Sequence, residues 1–130
     1  MKVELLALCD AATDSGGKLN ILGIYDTISA QQTPAVHQRC AIVMKMRFER
    51  IERGEHRIRL NIVDADGKPV VPTLDAPINI NFPDPLPSAT AQLILDLQNM
   101  RFEKFGEYSL DLAIDGRQEA SIPIFVRQAG

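Results

Sequence analysis

Apolar and polar side chains alternate at every other position in segment after segment, and this alternation most limits what the chain can fold into. Tyr108, Leu110, Leu112 and Ile114 alternate with Ser109, Asp111 and Ala113. Ala120, Ile122, Ile124 and Val126 repeat the pattern, as do Leu93, Leu95 and Leu97 against Ile94, Asp96 and Gln98. Cys40, Ile42, Met44, Met46 and Phe48 alternate with Ala41, Val43, Lys45, Arg47 and Glu49, and Ile58, Leu60 and Ile62 continue the same parity. A period of two turns every second side chain to one face, so these are half-buried strands. Val3 to Cys9, Leu19 to Tyr25 and Ile78 to Phe82 add further strands. Turn chemistry separates them: Thr13 to Gly17, Glu52 to Glu55, Asp64 to Gly67, and Asp115-Gly116. Ser29 to Val36 is polar and reads as a connection. Leu93, Leu97 and Met100 also fit helical spacing, but Leu95 completes the alternation and decides for a strand. Pro83 to Pro87 cannot join a ladder and should carry the chain from one sheet to the other. The expectation is a single domain over residues 1–130, all-β, a sandwich of two antiparallel sheets with seven or eight strands.

The run Leu95-Asp96-Leu97-Gln98-Asn99-Met100-Arg101-Phe102-Glu103-Lys104-Phe105-Gly106-Glu107-Tyr108 resembles the E–F corner of immunoglobulin-like domains. The resemblance implies an immunoglobulin-like sandwich with a tyrosine corner. Gly106 would be the small residue, and the Tyr108 hydroxyl would bond backbone upstream and pin the crossover. Lys104 stands where that corner usually has Asp, Leu110 stands at the disulfide cysteine, and the chain has no Trp. The expected sandwich therefore has no disulfide. The chain as a whole is also similar to an uncharacterised family of small single-domain bacterial proteins of unknown function, a resemblance that implies no mechanism.

A formal net charge of -3 lacks the basic excess of a nucleic-acid binder. An aromatic content of 5% leaves few rings for base stacking. Met1 to Cys9 does not make a lipoprotein signal, because Glu4 interrupts the apolar run and the large Leu8 precedes Cys9. No apolar stretch is long enough to cross a bilayer. A cytoplasmic protein with no membrane contact is expected, with Cys9 and Cys40 as reduced, buried thiols.

The candidates for chemistry are sparse. His37-Gln38-Arg39-Cys40 has the gap of one half of a zinc site, with no second half. Asp64-Ala65-Asp66-Gly67 opens like a calcium loop and lacks the later ligands, while Asp10, Asp14 and Asp115 lie in other loops. The two His sit in no nucleophile or base motif, and Gly16-Gly17-Lys18-Leu19 is not a phosphate loop. Lys45, Arg47, Arg50, Arg53, Arg57 and Arg59 form a basic cluster, self-neutralised by Glu49, Glu52 and Glu55. These readings predict no enzyme, no cofactor and no metal.

What remains is a binding or assembly module that contacts itself or another protein through a sheet face or an edge strand. The alternative is a small-ligand or calcium-binding module. Shared parity between Ile42–Phe48 and Ile58–Ile62 predicts a hairpin centred on Arg53. That hairpin would set Val43 opposite Val63 and Ala41 opposite Ala65, with Ala113 beside them, as an exposed patch for a homodimer or a protein partner, or else a patch covered by a loop of the same chain such as Ser29 to Val36. Two further expectations concern register. Asp115-Gly116 needs a three-residue loop or a bulge, so that Leu110 faces Ala120 and Tyr108 faces Ile122 and no polar side chain is buried. Pro123, which has no N–H, requires an edge or a bulge.

Overall fold

The computed structural model describes residues 1–83 and 85–129. Nine strands follow one another: β1 (Lys2–Ser15), β2 (Lys18–Ile24), β3 (Thr27–Ala30), β4 (Ala35–Glu49), β5 (Gly54–Val63), β6 (Leu74–Ile80), β7 (Ser88–Phe102), β8 (Gly106–Ile114) and β9 (Arg117–Gln128). They form two sheets. Sheet A has the order β2-β1-β4-β7, and sheet B the order β3-β9-β8-β5-β6. The fold is all-β and has no disulfide; Cys9 and Cys40 are free and buried. The expected seven or eight strands become nine, since the segment Ser29–Val36 contains the end of β3 and the start of β4. One pair departs from the antiparallel rule: β3 runs parallel to β9, from Thr27 opposite Phe125 to Ala30 opposite Gln128.

The core lies between the sheets. Ile42, Met44, Met46 and Phe48 of β4 meet Ile58, Leu60 and Ile62 of β5 and Leu110, Leu112 and Ile124 of sheet B, all buried. The hairpin expected between β4 and β5 is absent. After β4 a single 3-10 turn, Arg50–Glu52, carries the chain across to the other sheet. β4 pairs with β1 and β7, and β5 pairs with β6 and β8. Two strands that face each other across a core share inward parity just as two paired strands do, so parity alone could not separate these cases. The crossing expected at Pro83–Pro87 does occur, since β6 belongs to sheet B and β7 to sheet A; Asp84 within it lies outside the described residues.

The β8–β9 connection answers the parity requirement by the bulge. Asp115 and Gly116 both have positive φ, +52° and +79°, which makes a two-residue type I′ turn between Ile114 and Arg117. The register then shifts between Leu112 and Ala113, leaving Glu119 as the extra residue. Beyond the bulge Leu112 faces Ala120, Leu110 faces Ile122 and Tyr108 faces Ile124. Apolar side chains meet apolar ones, two positions from the expected pairs. Pro123 pairs with Ser109 on one side only, because the β3 ladder begins at Phe125. At residue 123 β9 is an edge.

Candidate functional site

Sheet A is apolar on both faces. Cys9, Ala41 and Val43 are buried in a second cluster, packed by Leu5, Ala12, Leu19, Ile21 and Ile94. β1 pairs with β4 only as far as Cys9 opposite Ala41, then continues with β2 as a hairpin. The hairpin tip reaches β7, where the Gln92 side-chain amide donates to the Gly17 carbonyl at 3.0 Å. The hairpin thus folds back over the outer face of sheet A. Val43 and Ala41 have no exposed surface, while Val63, Ala65 and Ala113 belong to the sheet B side, with Val63 opposite Ser109 and Ala113 opposite Gln118. The five residues expected to form one patch are not brought together. The cover over Val43 is the β1–β2 hairpin, not the segment Ser29–Val36. The basic cluster is divided likewise: Lys45 and Arg47 pair with Glu4, and Arg57 pairs with Asp75.

Residues Ala35 to Cys40 of β4 pair with β7 alone. Here the burial parity of both strands changes. Ala35 is buried on one side of the change and Cys40 on the other; on β7 the half-buried Leu93, Leu95 and Leu97 give way to buried Met100 and Phe102. Asn99, with φ +54°, lies at the change. The kink puts His37 and Cys40 on one side, where the Tyr25 hydroxyl bonds His37 Nε2 and lies against the Cys40 thiol. Burial pushes the thiol up to about 11, raises the Tyr25 phenol, and lowers the His37 imidazole. A thiol held protonated is a poor nucleophile and a poor metal ligand, so this trio is a polar plug in the wall of the core.

A second imidazole, His56, lines a cleft of about 380 Å³ with Met1, Glu52, Asp115, Arg117 and Glu119. Its Nδ1 is 2.6 Å from Asp115 Oδ2, and its Nε2 is 2.5 Å from the Glu52 carbonyl. Its ring packs on Phe48, with centroids 5.0 Å apart. Both partners are acceptors, so the two contacts are hydrogen bonds together only when both ring nitrogens carry a proton, the imidazolium form. The Glu52 carbonyl, followed by Asp115, raises its pKa. Asp115 is correspondingly lowered by His56 and by the Arg57 backbone N–H. Both ring nitrogens are engaged, one by Asp115 and the other by the Glu52 carbonyl. His56 is a clasp that ties the 3-10 turn to the β8–β9 turn.

The aspartates of the calcium reading are dispersed. Asp14 Oδ1 accepts the Gly17 N–H, Asp64 Oδ1 accepts the Asp66 and Lys68 N–H groups, and Asp115 holds Arg57 and His56. Asp14 and Asp64 each close their own turn, and Asp115 ties its turn to β5. Among the described residues no three His, Cys, Asp or Glu gather as metal ligands would.

At the other end of the sandwich the Tyr108 hydroxyl donates to the Lys104 carbonyl at 2.7 Å and accepts the Lys104 N–H at 3.3 Å. Its ring meets Phe102 edge-on at 4.9 Å. Gly106, with φ +143°, opens the corner. A cavity of about 520 Å³ adjoins it, lined by Asp64, Lys68, Lys104, Phe105 and Glu107. Charges of both signs line this cavity.

The sheet edges differ. β3 is four residues long, β6 carries Pro77, and β2 is bent at Gly23, whose φ is +68° and where Asp10 leaves no room for a Cβ. Each is guarded against pairing with another chain. β7 is 15 residues long, has no proline, and among the described residues pairs only with β4. Its inward Ala91, Leu93, Leu95 and Leu97 are half-buried beside the edge that β4 does not pair. No motif in the sequence pointed to this edge; the available signal was the long proline-free alternation itself.

The fold is a two-sheet all-β sandwich. Residues 4–127 match a family of unknown function, DUF6941, and the chain belongs to it. Among curated proteins none matches. Solved structures share the fold at low identity. The alkylpurine DNA glycosylase AlkC of Pseudomonas fluorescens, bound to DNA containing an abasic site analog, is 11% identical with a TM-score of 0.53, over 97% of this chain and 30% of that one. The β-glucosidase of Listeria innocua, in complex with isofagomine, is 7% identical with a TM-score of 0.54, over 96% of this chain and 16% of that one. The chain spans less than a third of either protein. Among the described residues no helix is long and apolar enough to cross a membrane.

Proposed function

We propose that this chain is a non-enzymatic, cytoplasmic binding or assembly module of the immunoglobulin-like type, acting through the free edge of sheet A. The observation that carries the reading is β7: a 15-residue strand with one unpaired side, beside apolar residues that are only half-buried. Unpaired N–H and C=O groups in a regular row are a template for another strand. The Tyr108 hydroxyl bonded to Lys104 supports the immunoglobulin-like assignment. The test compares wild type with the double variant Thr90→Lys, Gln98→Lys, two exposed edge positions, by sedimentation and by capture from host extract. Association that survives the lysines unchanged, in a variant with the wild-type circular dichroism, refutes the reading.

One observation favours a second reading, a small-ligand module: the cavity of about 520 Å³ at the Tyr108 corner, a size that ligand sites commonly have. A thermal-shift screen of small charged metabolites, repeated with Lys104→Glu, separates it from the first. A stabilising hit abolished by that substitution supports the cavity.

A further inference from the structure

We infer that the partner of β7 is the β7 strand of a second copy, paired antiparallel about a two-fold axis at Ile94. The inference rests on the assembly reading above and specifies its occupant. Directly opposed residues in an antiparallel pair point to the same face, so the inward odd-numbered residues must meet odd-numbered ones. A two-fold axis must therefore pass through a residue.

Polarity chooses which one. With the axis at Ile94, Leu93 meets Leu95, Ala91 meets Leu97, Gln92 meets Asp96, and Thr90 meets Gln98. Apolar side chains oppose apolar ones, and the one charge in the run, Asp96, opposes the neutral Gln92, whose amide stays bonded to Asp14 and to the Gly17 carbonyl of its own chain. Shifting the axis to Leu95 sets Asp96 against Ile94. Shifting it to Asp96 sets two carboxylates against each other, which is repulsive. Shifting it to Leu93 sets Ile94 against Gln92. The same axis suits the backbone: the paired run Thr90–Gln98 ends just before the left-handed Asn99. The pairing would join two four-stranded sheets into one of eight and cover the half-buried Leu93, Leu95 and Leu97 of each copy. Such two-fold contacts of one surface with itself are the commonest way in which identical chains associate.

The experiment is a register-specific cross-link in the full chain. Thr90 and Gln98 are both exposed and stand eight residues apart in one strand, roughly 27 Å at the usual strand rise, so thiols placed there cannot join within one copy. Thr90→Cys, Gln98→Cys under mild oxidation should give a covalent dimer with two bridges. Thr90→Cys, Asp96→Cys, which suits an axis at Leu93, should give at least tenfold less. Sedimentation of wild type should show a dimer that Thr90→Lys, Gln98→Lys reduces to monomer. A monomer at all concentrations, or equal cross-linking of the two pairs, overturns the inference. If the wild type is monomeric while a host protein is captured and lost with the lysine variant, the inference fails and the assembly reading stands.

Discussion

The His56 clasp makes a stability prediction whose sign can be worked out. A ring that donates from both nitrogens must be protonated, and its folded pKa is raised above the ordinary 6.5. Stability from such a group is full below the unfolded pKa and is lost as pH rises through the folded one. Asp115 and Glu52 are lowered, so their contributions are present above the usual carboxylate range and fade as pH falls through their folded values. The clasp is therefore strongest in mildly acidic solution, between those limits. A hydrogen bond to a charged group contributes about 1.5–3 kcal/mol when sheltered. The Asp115 side chain is 52% exposed, which cuts that arm to about 0.5 kcal/mol. The Glu52 arm, to a ring whose side chain is 15% exposed, is taken at about 1 kcal/mol. Together they predict about 1.5 kcal/mol, or about 5 °C in melting temperature for a domain of this size. The assay is thermal unfolding of wild type and His56→Gln from pH 5 to pH 9. The substitution leaves the ion pair between the N-terminal ammonium and Glu52 in place. The gap between the two should be widest near pH 5.5 and shrink towards pH 9. A gap that is constant, or that widens with pH, refutes the doubly donating ring.

Other substitutions test the packing. Leu110→Ala, at a site with no exposed surface, should cost about 2–5 kcal/mol, and Tyr108→Phe about 1 kcal/mol, both read by urea unfolding. Val43→Glu should place a carboxylate under the β1–β2 hairpin, costing about 3–5 kcal/mol; a melting curve like wild type would mean that the hairpin does not cover the sheet. Native Cys9 and Cys40 should resist a disulfide reagent at pH 8 and react only after unfolding, since burial raises both thiols; rapid labelling of the folded protein contradicts the plug around Cys40.

Strands were legible wherever one face is buried and the other wet, as from Tyr108 to Ile114. The need for a three-residue loop or a bulge around Asp115-Gly116 followed from parity alone, and the need for an edge or a bulge at Pro123 followed from its missing N–H. Parity misled where the physics is degenerate. Phe48 and Ile58 share an inward face across the core, and nothing in their spacing says that the 3-10 turn at Arg50–Glu52 sends them to opposite sheets. The alternation also fades where both faces are covered, so Ala41 and Val43 read as solvent-facing although the β1–β2 hairpin buries them. Leu97 and Met100 looked helical because the strand kinks at Asn99. The His56 clasp joins residues far apart in sequence through a backbone carbonyl, which leaves no trace in residue types.

The parallel pairing of β3 with β9 bears on how fast the molecule forms. Thr27 meets Phe125, so nearly the whole chain must be gathered before this ladder can start. The β8–β9 hairpin closes across two residues and can form early, within microseconds on the general scale for hairpins. The β3 contact has the longest loop to close, and loop-closure entropy must be met before its few hydrogen bonds compensate. β3 should therefore dock last during folding, and its amides should be among the last in sheet B to gain protection from hydrogen exchange.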